Sequence, residues 1–190
     1  MKLQIAGVTL AALLVAAPAA HADLVTNGGF ETGDFTGWTL TNDGGNIFVY
    51  GTDATYAPHS GSYEALLGAY GSDGTLSQSI TDTAGQKLTL TYWLASDGSA
   101  PNDFSAYWNG QVIAGSAHTN IGLAGYTEYV FDVLATGSDL LAFNERDDFG
   151  YLSLDDVALN AVPEPGTLAL FGVALAGLGA MRRRKTVTTA

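Results

Sequence analysis

The residues able to do specific chemistry in this chain are its carboxylates and its aromatic rings. Trp93, Tyr107 and Trp108 are flat side chains on which the C–H face of a sugar ring could pack, with Tyr56 and Tyr70 as further candidates. Asn109, Gln111, Asn144 and Arg146 could supply polar contacts to hydroxyls. For Trp38, core packing is favoured over ligand contact. Two acidic groups stand out. Asp155 and Asp156 are adjacent, and the apolar residues around them change parity: Leu152 and Leu154 share one phase, Val157 and Leu159 the other. A β-bulge at the acid pair would produce that shift and aim a carboxylate. Glu145, Asp147 and Asp148 form a second cluster, which lacks the spacing of an EF-hand and reads as a solvated loop.

Catalytic constellations are sparse. Only His59 and His118 lie beyond the first 22 residues, too far apart for a paired zinc motif. Ser60 is a sequence neighbour of His59, and no G-x-S-x-G elbow is present. There are no cysteines, so thiol catalysis and Cys-based metal sites are excluded. Glycoside hydrolysis needs two carboxylates at a set separation. Among so many acids, some pair meets that by chance. The residues point to a protein that is not an enzyme.

Charge is unevenly spread. Eighteen of the 19 acids lie between Asp23 and Val162, against two bases, Lys87 and Arg146, for a net charge of −16 there. Such a surface repels phosphate backbones, excluding nucleic acid as a partner, and attracts divalent cations. It also keeps an exported protein soluble.

The elements that must position these residues are short strands. Leu88, Leu90, Tyr92 and Leu94 alternate with Thr89, Thr91 and Trp93 across Lys87 to Ser96; Tyr129, Phe131 and Val133 share a face within Tyr126 to Leu134. Asn109-Gly110, between two apolar runs, predicts a type I′ hairpin within Asp103 to Ile113. Further strands are expected at 47–51, 62–67, 75–80, 140–144 and 151–159. About nine or ten strands with no helix between them predict an all-β, antiparallel β-sandwich, most simply a jelly roll.

The two ends differ from this middle. Residues 1–22 have a basic start at Lys2, an apolar run from Ile5 to Ala17 and an Ala20-His21-Ala22 cleavage site, the pattern of a signal peptide that leaves Asp23 as the mature N-terminus. Residues 161–190 carry Pro163-Glu164-Pro165, an apolar stretch at about 166–181 and the basic tip 182–185. Sixteen helical residues span about 24 Å, suited to a thin bilayer or a transient stay. The basic tip would hold the C-terminus in the cytoplasm, so the 23–160 domain faces outward between a signal helix and a transmembrane helix.

Pro163, Glu164 and Pro165, followed by a short apolar helix and an Arg-rich tip, resemble the PEP-CTERM sorting signal. The resemblance implies an exported Gram-negative protein that crosses the inner membrane. An exosortase would recognise the motif and release the domain to the cell surface, outer envelope or extracellular exopolysaccharide matrix. A second resemblance spans the middle. Asn27-Gly28-Gly29-Phe30-Glu31…Gly37-Trp38, His59-Ser60-Gly61-Ser62-Tyr63, Leu76-Ser77-Gln78-Ser79-Ile80 and Leu154-Asp155-Asp156-Val157 are similar to the anchors of galactose-binding-like jelly rolls, which include carbohydrate-binding modules. It implies a structural calcium ion at Glu31, Asp155 and Asp156, its shell completed by carbonyls near Asn27, Gly28 and Asp53, and polysaccharide as the ligand. The expected function is a non-catalytic carbohydrate-binding-like module. The alternatives are a structural biofilm-matrix protein without a glycan ligand and, third, an envelope glycan hydrolase.

Overall fold

The structure, a computed structural model, describes residues 23–42, 44–53 and 55–162. The expected signal segment, the sorting motif, the apolar stretch at 166–181 and the basic tip lie outside them. The described residues form eleven strands and no helix.

One sheet contains β1 (Thr39–Thr41), β4 (Gly74–Thr81), β10 (Ser138–Asp147), β6 (Asn102–Trp108) and β7 (Gln111–Val112) in that order, with β8 (His118–Thr119) also pairing β6. The other runs β2 (Ile47–Gly51), β3 (Tyr63–Leu67), β11 (Leu152–Ala161), β5 (Lys87–Ser96) and β9 (Ala124–Leu134). Every pairing is antiparallel. From β3 to β6, and again from β9 to β11, consecutive strands belong to opposite sheets. Each connection therefore crosses the edge of the sandwich, the winding expected of a jelly roll.

The period-2 pattern sets which side chains are inside. Leu88, Leu90, Tyr92 and Leu94 of β5 face Phe104, Ala106 and Trp108 of β6 and Leu141 and Phe143 of β10. Tyr92 meets Phe143 edge-on at 5.3 Å and Phe104 at 5.5 Å, so aromatic pairs bridge the sheets. Burying each such side chain contributes about 1.5–3 kcal/mol. The Asn-Gly expectation holds: Asn109 (φ 52°) and Gly110 (φ 75°) turn β6 into β7. β1 and β8, of three and two residues, were not expected, being too short to show a period.

The parity shift in β11 is a bulge. Asp155 opposes Trp93 and Ala158 opposes Thr91, so Asp156 and Val157 together face Tyr92. Asp156 takes φ 47°, a left-handed conformation that aspartate tolerates better than most residues. Beyond the bulge, residues 23–30 lie along β11. Leu24 N–H donates to Leu159 O at 3.0 Å, Val157 N–H to Gly28 O at 3.0 Å, and Leu159 N–H to Asp23 Oδ1 at 2.8 Å. Gly28 is obligatory there, because a Cβ would stand 1.8 Å from Val157 O. Phe30 (φ 56°) and Trp38 then enter the core 5.9 Å apart, and Trp38 reaches Phe143 at 6.1 Å, as expected for a core tryptophan.

Gly28→Ala should therefore destabilise the domain by about 3 kcal/mol, since backbone on both sides must move to admit a methyl group. A fall in the urea midpoint with unchanged slope would register it; an unchanged midpoint would contradict this packing.

Candidate functional site

The expected acidic site is assembled by the bulge. The side chains of Asp155, Asp156 and Glu31 converge on Gly29, whose absent Cβ would lie 3.4 Å from Asp156 Oδ1, 3.8 Å from Asp155 Oδ1 and 3.8 Å from Glu31 Cγ. All three grip the His59–Tyr63 loop. Glu31 Oε1 accepts from the N–H groups of Ser62 (2.8 Å) and Tyr63 (3.0 Å), and Asp155 Oδ2 from Ser60 N–H (3.0 Å). Asp156 takes the Ser60 hydroxyl at 2.8 Å and lies 2.6 Å from His59 Nδ1. Gly61 (φ 63°) permits this closeness, because a Cβ there would approach Glu31 Oε1 to 2.2 Å. Ser60 and His59 thus both bind one carboxylate, an arrangement unlike a nucleophile activated by an imidazole.

The donor set suits calcium in kind, being hard oxygen. Glu31 Oε2 has no protein donor among the described residues. Asp155, fully buried, has its acidity weakened to a pKa of about 6 by burial, against the pull of the Ser60 and Asp156 amides. Two other expected contributors are occupied or elsewhere: Asn27 O accepts from Phe30 N–H and the Trp38 indole, and Asp53 binds Tyr50 O–H and the amides of Thr55 and Tyr56. Among the described residues no three His, Asp or Glu side chains gather at metal-ligand spacing. An ion here would draw on backbone carbonyls as well as Glu31 and Asp155.

The expected aromatic candidates separate. Trp108 is only 9% exposed, and its indole N–H donates to Leu134 O at 2.9 Å. It belongs to the core, because the inward parity of β6 runs through Phe104, Ala106 and Trp108; as a sugar platform it is ruled out. Trp93 lies on the outward side of β5, but one ring face is covered by the His59 imidazole, stacked at 3.8 Å and 14°. Tyr107 is half-buried on the outer side of β6. These three do not form one surface: Trp93 and Tyr107 stand on different sheets and Trp108 lies between them.

An open aromatic pair lies instead at the end of the sandwich where β10 turns into β11. Tyr70 is 63% exposed and Phe149 71%, with ring centroids 6.2 Å apart in an edge-to-face contact. They border a cleft of about 300 Å³ lined also by Asn46, Gly68, Asp147, Asp148, Gly150 and Tyr151. Tyr151 continues into a chain of edge-to-face rings with Phe48 and Tyr56. Tyr70 was legible in the sequence as a candidate. Phe149 was missed, although an aromatic in the turn Asp148-Phe149-Gly150 has no strand parity to bury it.

The second acidic cluster is not the solvated loop expected. β10 extends to Asp147, so Glu145 and Asp147 inherit the inward parity of Leu141 and Phe143 and are buried. Ala69 N–H donates to Glu145 Oε1 at 3.2 Å. Burial, reinforced by Asp103, Asp147 and Asp73, pushes the Glu145 pKa up to about 8 despite that bond. Asp147 Oδ1 accepts from the amides of Phe149 (3.2 Å) and Gly150 (3.0 Å), while its buried Oδ2 has no partner among the described residues. Burial raises the Asp147 pKa to about 6. Asp148 is held at about 2 by the Arg146 guanidinium, which meets it through two hydrogen bonds of 2.7 and 2.5 Å.

Comparison with known proteins agrees with the fold and the sorting tail. Residues 161–185 match the PEP-CTERM protein-sorting motif, which marks an exported protein processed at the membrane for surface display. The carbohydrate-binding module TmCBM61, solved with β-1,4-galactotriose, superposes with a TM-score of 0.55 at 19% identity, covering 74% of this chain and 99% of that one. The CBM22-1 xylan-binding domain of Paenibacillus barcinonensis Xyn10C gives 0.56 at 18% identity, over 78% of this chain and 100% of that one. The enzymatically active domain of bacteriophage CBA120 tailspike protein 4 gives 0.52 at 18%, over 74% of this chain but only 21% of its own. No curated protein sequence matches the chain. The chain thus carries a PEP-CTERM protein-sorting motif, and its described residues form a β-sandwich similar in fold to these solved modules.

Because Glu145, Asp147 and Asp155 hold protons more tightly folded than unfolded, their contribution to stability is present at low pH and is lost as pH rises through about 6 and then about 8. The melting temperature should fall between pH 5 and pH 8.5. Glu145→Gln, which keeps an acceptor for Ala69, should flatten the upper part of that slope and melt higher than the parent at pH 8.5. Equal slopes in both proteins would refute the assignment.

Proposed function

We propose that the domain is a non-catalytic carbohydrate-binding-like module, exported by its signal peptide, recognised at Pro163-Glu164-Pro165 by an exosortase and delivered to the cell surface or surrounding polysaccharide matrix. The observation that carries the ligand class is the exposed Tyr70–Phe149 pair beside the cleft. Two adjacent exposed rings beside a cleft form the kind of apolar surface on which ligands settle. Sugar rings match them: apolar C–H faces pack on the rings while hydroxyls meet Asn46, Asp147 and Asp148. The ligands named for the two similar modules support the class without specifying the sugar. Asp23 supports the processing boundary, because its carboxylate accepts from Val25 and Leu159 N–H and so belongs to the fold rather than to a discarded leader.

Retention of the purified chain on insoluble or immobilised polysaccharide should drop at least about tenfold in Tyr70→Ala and Phe149→Ala, with Trp108→Phe retaining binding. Parent protein that passes every polysaccharide without retardation would end this reading.

A structural calcium ion on Glu31, Asp155 and Asp156 belongs to the same proposal. It would neutralise a buried carboxylate and fasten the His59–Tyr63 loop to β11. Millimolar calcium should raise the melting temperature of the parent relative to chelator and leave Glu31→Gln unmoved. Identical melting in calcium and chelator would mean that hydrogen bonds alone form the fastening.

A further inference from the structure

We propose that the cleft prefers sugars carrying a free amino group, so that the ligand is an amino-sugar polysaccharide with unacylated amines. The inference rests on the reading of the domain as a glycan-binding module and names the chemistry its cleft selects. Asp147 lines the cleft, is 1% exposed, and has both of its amide donors on Oδ1; Oδ2 is buried with no donor among the described residues. A buried acceptor without a partner is unfavourable, and a charged donor relieves it more strongly than a neutral one.

The surroundings select the sign of that donor. Asp148 also lines the cleft, and the field of Asp97 and Asp148 acts on Asp147. The nearby cation, Arg146, is already engaged by the Asp148 carboxylate through two hydrogen bonds. Asp97 is likewise engaged, accepting from Tyr151 N–H at 2.9 Å and Ser99 N–H at 2.9 Å. A uronic acid would meet repulsion with no cation among these residues left to receive it. A neutral sugar would satisfy one acceptor by a hydroxyl. An ammonium group would supply up to three donors and a positive charge beside Asp147 and Asp148, which both line the cleft. The Tyr70 and Phe149 rings add to the match, since their faces attract cations as well as C–H groups.

The test compares three oligosaccharides of equal length on the full chain by isothermal titration: a glucosamine hexamer with free amines, its fully N-acetylated counterpart and a galacturonate hexamer. The amine form should bind about tenfold more tightly than the acetylated form, and the uronate not at all. Asp147→Asn keeps the Oδ1 acceptor for the Phe149 and Gly150 amides and should remove the preference for the amine while retaining residual binding. The preference in the parent should also shrink as salt is added, a readout that needs no variant. Equal or tighter binding of the acetylated hexamer, a preference that survives in folded Asp147→Asn, or one insensitive to salt would overturn the inference and leave the glycan-binding reading standing. Failure of all three sugars and of every polysaccharide to bind would overturn both.

Discussion

The structure turns on one mismatch of register. Asp156 and Val157 occupy the place of a single residue opposite Tyr92, and the left-handed turn at Asp156 makes room for both. A bulge strengthens twist and redirects side chains. Here it keeps Val157 and Leu159 in the core after the phase of Leu152 and Leu154 has been exhausted. It frees Val157 N–H to bind Gly28 O, which docks the N-terminal segment. It also turns two successive carboxylates toward the His59–Tyr63 loop. Core continuity, N-terminal anchoring and loop fastening thus share one backbone feature, and replacing it with regular pairing would cost all three.

Acidic groups in this domain do two kinds of work. Glu31, Asp155 and Asp156 act inward, each accepting hydrogen bonds from a loop that would otherwise have unsatisfied amides. Glu145 and Asp147 are carried into the interior at the end of β10 because strand parity continues past the point where the apolar residues stop. Desolvating a carboxylate is expensive, and the domain answers with a raised proton affinity rather than with a basic partner. With Lys87 and Arg146 as its two bases, ion pairing could not have met the demand. The polar end of β10 lies beside the Tyr70–Phe149 cleft, so the residues that weaken the interior also shape the surface available to a ligand.

That end of the sandwich is opposite the chain's exit. β11 begins beside the cleft at Leu152 and finishes at Ala161, and Val162 N–H still donates to Lys87 O at 2.9 Å. Ten strand residues at about 3.3 Å each separate the two ends by roughly 30 Å. The sorting motif therefore follows directly on the last paired residue, while the aromatic pair sits at the far rim.

The sequence by itself determined the architecture of the middle. Alternation in 87–96 and 126–134, Asn109-Gly110, and the parity break at Asp155–Asp156 all reappear as strands, turn and bulge, because period-2 burial is a local property written in every second residue. It determined the sorting tail for the same reason: a contiguous motif needs no fold to be read. Tertiary structure alone decided the fate of individual rings and acids. Alternation places Phe104, Ala106 and Trp108 on one side of β6 and Tyr107 on the other, but only the second sheet decides which side is sealed. His59 covers Trp93 through a contact between residues 34 apart in sequence. Tyr70 and Phe149 meet because two separate turns close the same end of the sandwich. Exposure is a property of what packs above a residue, and that neighbour is chosen by strand order, which no single strand encodes.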